Sequence, residues 1–127
     1  MGTRDLDEFR EAGRTLFSLG LVKASEGNLS VYDGERIVIT RTGCRLVDLT
    51  EADVLEGTLE EPPAESSSDL AVHLGWYRER GAGAIVHAHP PGTVPEGAPE
   101  SGAHGAYAFG PDLEDATRQV VEQARGE

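Results

Sequence analysis

Apolar residues recur at spacings of three and four near the N-terminus. Leu6, Phe9, Ala12, Leu16 and Leu19, with Asp and Arg between them, predict an amphipathic helix over residues 5–19, stopped by Gly20. The period then shortens. Two β-rich runs, 27–32 and 35–40, flank Asp33-Gly34, the signature of a hairpin closed by a type I′ turn. Thr50, with Asp53 at the capping-box spacing, predicts a short helix start. Residues 56–65 are acidic and turn-rich, and Pro62-Pro63 excludes helix there. Ser67 or Ser68 can cap a further helix running to Arg80, with Leu70, His73 or Leu74, and Tyr77 on its inner face and Gly81 at its end. Residues 83–89 read as a buried strand closed by Pro90-Pro91. A last helix follows Asp112, a good N-cap, through Leu113, Ala116, Val120, Val121 and Ala124.

Helix, hairpin, helix, strand and helix predict an α/β sandwich with a mostly antiparallel sheet. The 127 residues suit a single domain, 1–127, with one modest core. Within it, 90–103 hold four prolines, three glycines and one branched aliphatic, Val94, and read as a linker. Charge narrows the partners. Eleven basic against 23 acidic residues give a formal net charge of -12, which argues against nucleic acid and anionic membrane. The basic residues are ten Arg and only Lys23, a bias that fits a high-salt cytoplasm and equally a GC-rich genome, and neither bears on chemistry. No apolar run approaches the roughly 20 residues of a membrane span, and the start is charged rather than signal-like. A single cysteine, Cys44, excludes an internal disulfide framework and fits a reducing cytosol. A soluble cytoplasmic domain is the expectation.

The sharpest chemical feature is His87-Ala88-His89. On a strand, side chains two apart project from the same face with Cα atoms about 7 Å apart, so both imidazoles can meet one zinc ion. A strand end carrying two surface histidines gives the same spacing. His104 is the candidate third ligand outside a helix, whereas His73 falls mid-helix and reads as a packing residue. Gly27-Asn28, Thr42-Gly43 and Ser67-Ser68 place small polar groups at element boundaries. Free backbone N–H groups beside hydroxyls and an amide can hold a phosphate without a cation, and each pair is otherwise an ordinary turn or cap. Asp69 opens the second helix, where the dipole favours a carboxylate. Beside a metal it can serve as general acid/base. Cys44 reads as a buried small residue rather than a nucleophile.

Taken in order, Gly27-Asn28-Leu29-Ser30, Ile39-Thr40-Arg41-Thr42-Gly43, Ser67-Ser68-Asp69 with His73, Ala84-Ile85-Val86-His87-Ala88-His89, and the 104–110 run resemble the class II aldolase/adducin family. The parallels are fuculose-phosphate aldolases and ribulose-phosphate 4-epimerases. The resemblance implies a three-layer α/β/α sandwich, truncated, and a zinc site of His87, His89 and His104, with another divalent metal as an alternative. It also implies a phosphate pocket lined by Gly27, Asn28, Thr42, Gly43, Ser67 and Ser68. Asp69 stands where the family has a glutamate that is a metal ligand or proton-transfer group. The implied activity is aldol cleavage or formation of a carbon–carbon bond in a small phosphorylated sugar or hydroxy-ketone. Epimerase, decarboxylase and a non-catalytic adducin-like module are the alternatives. The implied assembly is a homo-oligomer, a tetramer. Family enzymes are usually much longer, so the short 90–103 segment is expected to remove sheet strands, including the one that delivers the third histidine. The C-terminal tail of the family is expected to be missing.

Overall fold

A computed structural model describes residues 3–23, 26–67, 69–89 and 106–124. Helix α1 spans Thr3–Ser18, strand β1 Asn28–Tyr32, β2 Ile37–Thr40 and β3 Val54–Gly57. Helix α2 spans Leu70–Arg80, β4 Gly83–Ala88, β5 Ala106–Gly110 and α3 Leu113–Ala124. The five strands form one sheet in the order β3-β2-β1-β4-β5, every pairing antiparallel.

Alternation along the strands divides the buried residues between the two faces of the sheet. Leu29, Val38, Ala84, Val86, Ala88, Ala106 and Ala108 pack with Phe9 and Leu16 of α1 and Leu113 and Val120 of α3. Ile37, Ile39 and Ile85 face the other way, against Leu74 and Tyr77 of α2. The three layers are therefore α1 and α3, the sheet, and α2.

The α1 face follows the periodic pattern except at Leu19, which is exposed because the helix has already ended. Gly20 takes φ +74° and the Leu21 N–H reaches back to the Leu16 carbonyl, a Schellman closure. Thr50 and Asp53 do form a capping box, yet the segment is only a 3₁₀ turn, Glu51–Asp53.

Several expectations are corrected. The Asp33-Gly34 signal does not make a two-residue turn: Tyr32 pairs with Ile37, leaving a connection of residues 33–36. Asp33 organises it, one carboxylate oxygen accepting the N–H groups of both Glu35 and Arg36. The acidic stretch from residue 56 begins inside a strand, β3, because Glu56 pairs with Val38 of β2 and the turn chemistry starts only at Thr58. Ser67 does not cap α2. Asp69 occupies the N-cap position, and the Ser67 hydroxyl accepts the Asp69 N–H at 3.2 Å. Ser68 lies outside the described residues. The strand expected to be lost is present as β5, which begins two residues after position 104 and pairs with β4 along its length.

As a sheet edge, β5 offers unpaired carbonyls that could recruit another strand. Gln119 and Gln123 of α3 lie over that edge and donate to the carbonyls of Phe109 and Tyr107 at 2.9 and 3.3 Å. No helix among the described residues is long and apolar enough to cross a membrane.

Candidate active site

Helix α2 meets β1 through a stripe of polar groups. Positions 69, 73 and 77 lie four apart on the helix, about 6 Å of rise each, and Asn28, Ser30 and Tyr32 lie two apart on the strand, about 6.8 Å each. The near match of these repeats lets His73 and Tyr77 each sit between two strand residues, with Asp69 against Asn28. Asn28 Nδ2 donates to Asp69 Oδ2 at 2.7 Å, and the Asn28 carbonyl oxygen meets His73 Nε2. Ser30 Oγ bonds His73 Nδ1 at 2.6 Å and the Tyr77 hydroxyl at 2.7 Å, and the Tyr32 and Tyr77 ring centroids are 5.2 Å apart.

Cross-strand register adds the second half of the site. Asn28 pairs with His87, and His87 with Tyr107, so the three side chains form one row across β1, β4 and β5 on the α2 face. The His87 ring stacks on Tyr107 with centroids 3.9 Å apart, and the His89 ring stands edge-on to it at 4.6 Å. Trp76 of α2 packs beside Tyr107 at 6.0 Å, and Arg80 lies over the Trp76 ring. The His87 Nδ1–H donates to the Ala106 carbonyl at 3.2 Å, which puts the lone pair of the neutral ring on Nε2. That Nε2 lies 3.6 Å from Asp69 Oδ2.

The small polar turns expected to hold phosphate are brought to the same end of the sheet. Arg41 bridges Ser66, the Thr42 N–H donates to the Glu65 carbonyl at 2.9 Å, and the Ser67 N–H donates to the Thr40 carbonyl at 3.1 Å. Thr42 and Gly43, with φ +78° at the glycine, are exposed beside this junction, while Ser67 is buried next to Asp69. Arg41 is held by Asp53 at 2.7 Å. Gly27 has φ +82°, and a Cβ there would come within 2.8 Å of the His87 carbonyl oxygen, so the chain can pass β4 at this point only as glycine. The close approach is to protein backbone rather than to a ligand.

His104 lies outside the described residues. Among the described residues no three His, Cys, Asp or Glu side chains converge as a metal site. Cys44 is buried, and burial pushes its thiol up, away from nucleophilic character. A concavity of about 420 Å³ between α1 and α3 lies in the opposite layer, where Glu8, Glu11, Asp112 and Glu114 outnumber the basic Arg118.

Two members of the cluster escape a reading by spacing. His73 is buried, as a packing residue would be, but it is also the centre of the polar stripe. The signal that could have found it is the i, i+4, i+8 polar run Asp69, His73, Tyr77 on an otherwise apolar helix face. Tyr107 enters through strand register alone. Burial, then the neighbouring Asp69 charge and a hydrogen bond to it, push its phenol up to about 12, so it stays a protonated donor.

Burial holds the His73 imidazolium down to about 3, against a weaker upward pull from Asp69. The unfolded chain takes up that proton below about 6.5 and the folded one does not, so stability falls as pH drops through this window. Between pH 6.5 and 4 the wild-type chain should lose roughly 3 kcal/mol more than His73→Gln in urea titrations. Equal losses in the two proteins would contradict a neutral His73.

A sheet backed by helices on both faces, with imidazoles and a carboxylate gathered where β1, β4 and β5 meet α2, defines a three-layer α/β/α protein with a polar cluster on one face. The sequence profile of the Class II Aldolase and Adducin N-terminal domain matches residues 7–95, and the chain belongs to that family. A 5-deoxy-D-ribulose 1-phosphate aldolase of Bacillus thuringiensis serovar kurstaki is 32% identical over 95 residues, covering 69% of this chain and 45% of that protein. A methylthioribulose-1-phosphate dehydratase of a Bradyrhizobium species is 40% identical over 87 residues, 66% of this chain and 40% of that protein. The chain thus spans less than half the length of these curated relatives. The crystal structure of L-fuculose-1-phosphate aldolase from Thermus thermophilus superposes with a TM-score of 0.85 at 28% identity, over 98% of this chain and 92% of that one.

Proposed function

We propose that the chain is a metal-dependent aldolase acting on a small phosphorylated ketose, splitting or forming one carbon–carbon bond. The observation that supports this most directly is the placement of Asp69. Its carboxylate is tied to Asn28, faces His87 Nε2 and lies beside the Tyr107 hydroxyl, at the mouth of the phosphate turns.

The donor set fits a divalent cation. With Nδ1–H committed to the Ala106 carbonyl, His87 presents Nε2 as its lone-pair nitrogen, the tautomer that ligates zinc, and His89 stands beside it. His87, His89 and His104 would hold the ion, zinc or another divalent metal. When bound, it would polarise the oxygens of the ketose as a Lewis acid.

The residues of the chain supply the remainder. Thr42, Gly43, Ser67 and Ser68, with Asn28 and Gly27 behind them, would cradle the phosphate through the Thr42, Ser67 and Ser68 hydroxyls and the Gly43 N–H, the Thr42 and Ser67 N–H groups being held by the Glu65 and Thr40 carbonyls. Asp69 would take the proton released as the carbon–carbon bond breaks and return it to the carbanionic carbon of the ketone fragment. Tyr107, protonated at neutral pH, would donate to an oxygen of the substrate or of Asp69. Stacking on His87 keeps its ring from swinging away.

A dehydratase is the second reading, favoured by the 40% identical relative named for that activity. Both reactions pass through an enediolate stabilised next to a polarised carbonyl and differ in how it forms: the aldolase withdraws the proton of the β-hydroxyl as the carbon–carbon bond breaks, and the dehydratase withdraws the α-proton before the β-hydroxyl leaves as water. Incubation with L-fuculose 1-phosphate and 5-deoxyribulose 1-phosphate, with metal analysis of the purified protein, separates them. The aldolase is expected to carry one zinc per chain and to release an aldehyde and a three-carbon ketone phosphate. A product of unchanged carbon count that is lighter by one water identifies the dehydratase, and one of unchanged mass an epimerase. A chain that binds no metal and converts neither compound is an adducin-like module. A cytoplasmic homo-oligomer, a tetramer with sites between subunits, completes the proposal.

A further inference from the structure

His73 and Tyr77 are fully buried ionisable groups in this region for which the proposed chemistry has no use, and His73 is the one bonded to Asn28. It bonds neither imidazole of the pair and meets the phosphate turns only through the Asn28 amide, yet every polar atom of its ring is engaged.

The sense of each bond in the stripe is fixed from one end. Asp69 is a carboxylate and accepts, so the Asn28 group 2.7 Å from it is the amide nitrogen. Flipping that amide by 180° would set two acceptor oxygens against each other. Asn28 Oδ1 then faces His73 Nε2, which must carry a proton. A neutral ring with Nε2–H has its lone pair at Nδ1, so Ser30 donates to it. The Ser30 hydroxyl has only one proton, and the Tyr77 hydroxyl must therefore donate to Ser30. One polarity satisfies all four links, running from Tyr77 through Ser30, His73 and Asn28 to Asp69.

We propose that His73 is a positioning residue for Asp69: as the Nε2–H tautomer it locks the buried Asn28 amide in the orientation that donates to the Asp69 carboxylate, and so aims that carboxylate at the substrate. This rests on the reading of Asp69 as the acid/base group. A leucine or phenylalanine would fill the same space. It would leave the Asn28 carbonyl unpaired in a dry site, cost the Ser30 hydroxyl one of its two partners and leave the amide free to flip. The aim matters here because an aspartate has a shorter reach than the glutamate of the family, and a misplacement of about 1 Å can cost on the order of 100-fold in rate.

Two measurements test it. In the purified metal-free chain labelled with 15N-histidine, two-bond proton–nitrogen correlations at neutral pH should give His73 a pyrrole-type Nε2 and a pyridine-type Nδ1. An Nδ1–H tautomer or an imidazolium overturns the proposal. This readout needs neither substrate nor metal, so it stands whatever becomes of the aldolase reading. The second uses turnover of L-fuculose 1-phosphate or 5-deoxyribulose 1-phosphate. His73→Phe should lower kcat about 30- to 100-fold with KM changed less than about threefold, and His73→Gln, which keeps an N–H donor for Asn28, should recover about tenfold of that loss. Equal damage by the two substitutions, or a loss confined to KM, overturns it. If the wild-type chain converts neither compound, the functional reading fails and the tautomer measurement alone decides the direction of the chain.

Discussion

Asp69→Asn should lower kcat by about 10³, within the range of 10²–10⁴ that a positioned acid/base group contributes, while the fold survives. Asparagine keeps an oxygen that can accept the Asn28 amide at the same place, so the stripe between α2 and β1 loses no partner. What disappears is a group that can hold and return a proton. Circular dichroism and thermal unfolding should move little, and turnover of L-fuculose 1-phosphate or 5-deoxyribulose 1-phosphate should be nearly abolished. A kcat within threefold of wild type would remove Asp69 from the chemistry. Unchanged metal content and ligand binding in Asp69→Asn and His89→Ala alike would leave a binding module.

Gly13→Ala should destabilise the chain by about 2–3 kcal/mol, against the direction that helix propensity sets. Alanine in a helix interior is favoured over glycine by about 0.8–1.0 kcal/mol. At this position, however, α1 lies directly on the 3₁₀ turn Leu46–Asp48, and an added Cβ would fall on the Leu46 carbonyl oxygen and within 2.8 Å of its carbonyl carbon. Backbone cannot rotate aside as a side chain can. The helix must lift, opening the contacts of Phe9, Ala12 and Leu16 with the sheet. A fall in Tm of roughly 10 °C is expected for a chain of this size. A rise in Tm would show that propensity wins and that the approach of α1 to Leu46 is slack.

The elements differ in how far local pattern reached them. α1 and α3 are legible because each packs a single apolar stripe against the sheet, and the 3.6-residue period records that stripe. β4 is legible as a continuous apolar run, since both of its faces are covered. β3 is not: Val54–Gly57 contains Glu56, whose place in a strand comes from its pairing with Val38 of β2 rather than from its own neighbours in sequence. The hairpin at Asp33 was signalled correctly as a turn but not in length, because the Asp33 carboxylate stabilises the wider loop by binding two N–H groups. β5 was expected to be lost with the short 90–103 segment. Pairing with β4 retains it, and that pairing depends on no particular length of the connection.

Sequence alone determined the identity of the chemical groups and the family: imidazoles two apart on a strand, a carboxylate at a helix start, and polar turns in a recognisable order. These are properties of local spacing and residue type, which a linear chain carries in full. Tertiary structure decided which groups face one another. The row Asn28–His87–Tyr107 exists only through strand register, and the stripe from Tyr77 to Asp69 only because a four-residue helical step nearly equals a two-residue strand step. Register and matched rise are relations between distant segments, fixed by packing and by the demand that every buried donor meet an acceptor, and no window along the sequence contains both partners.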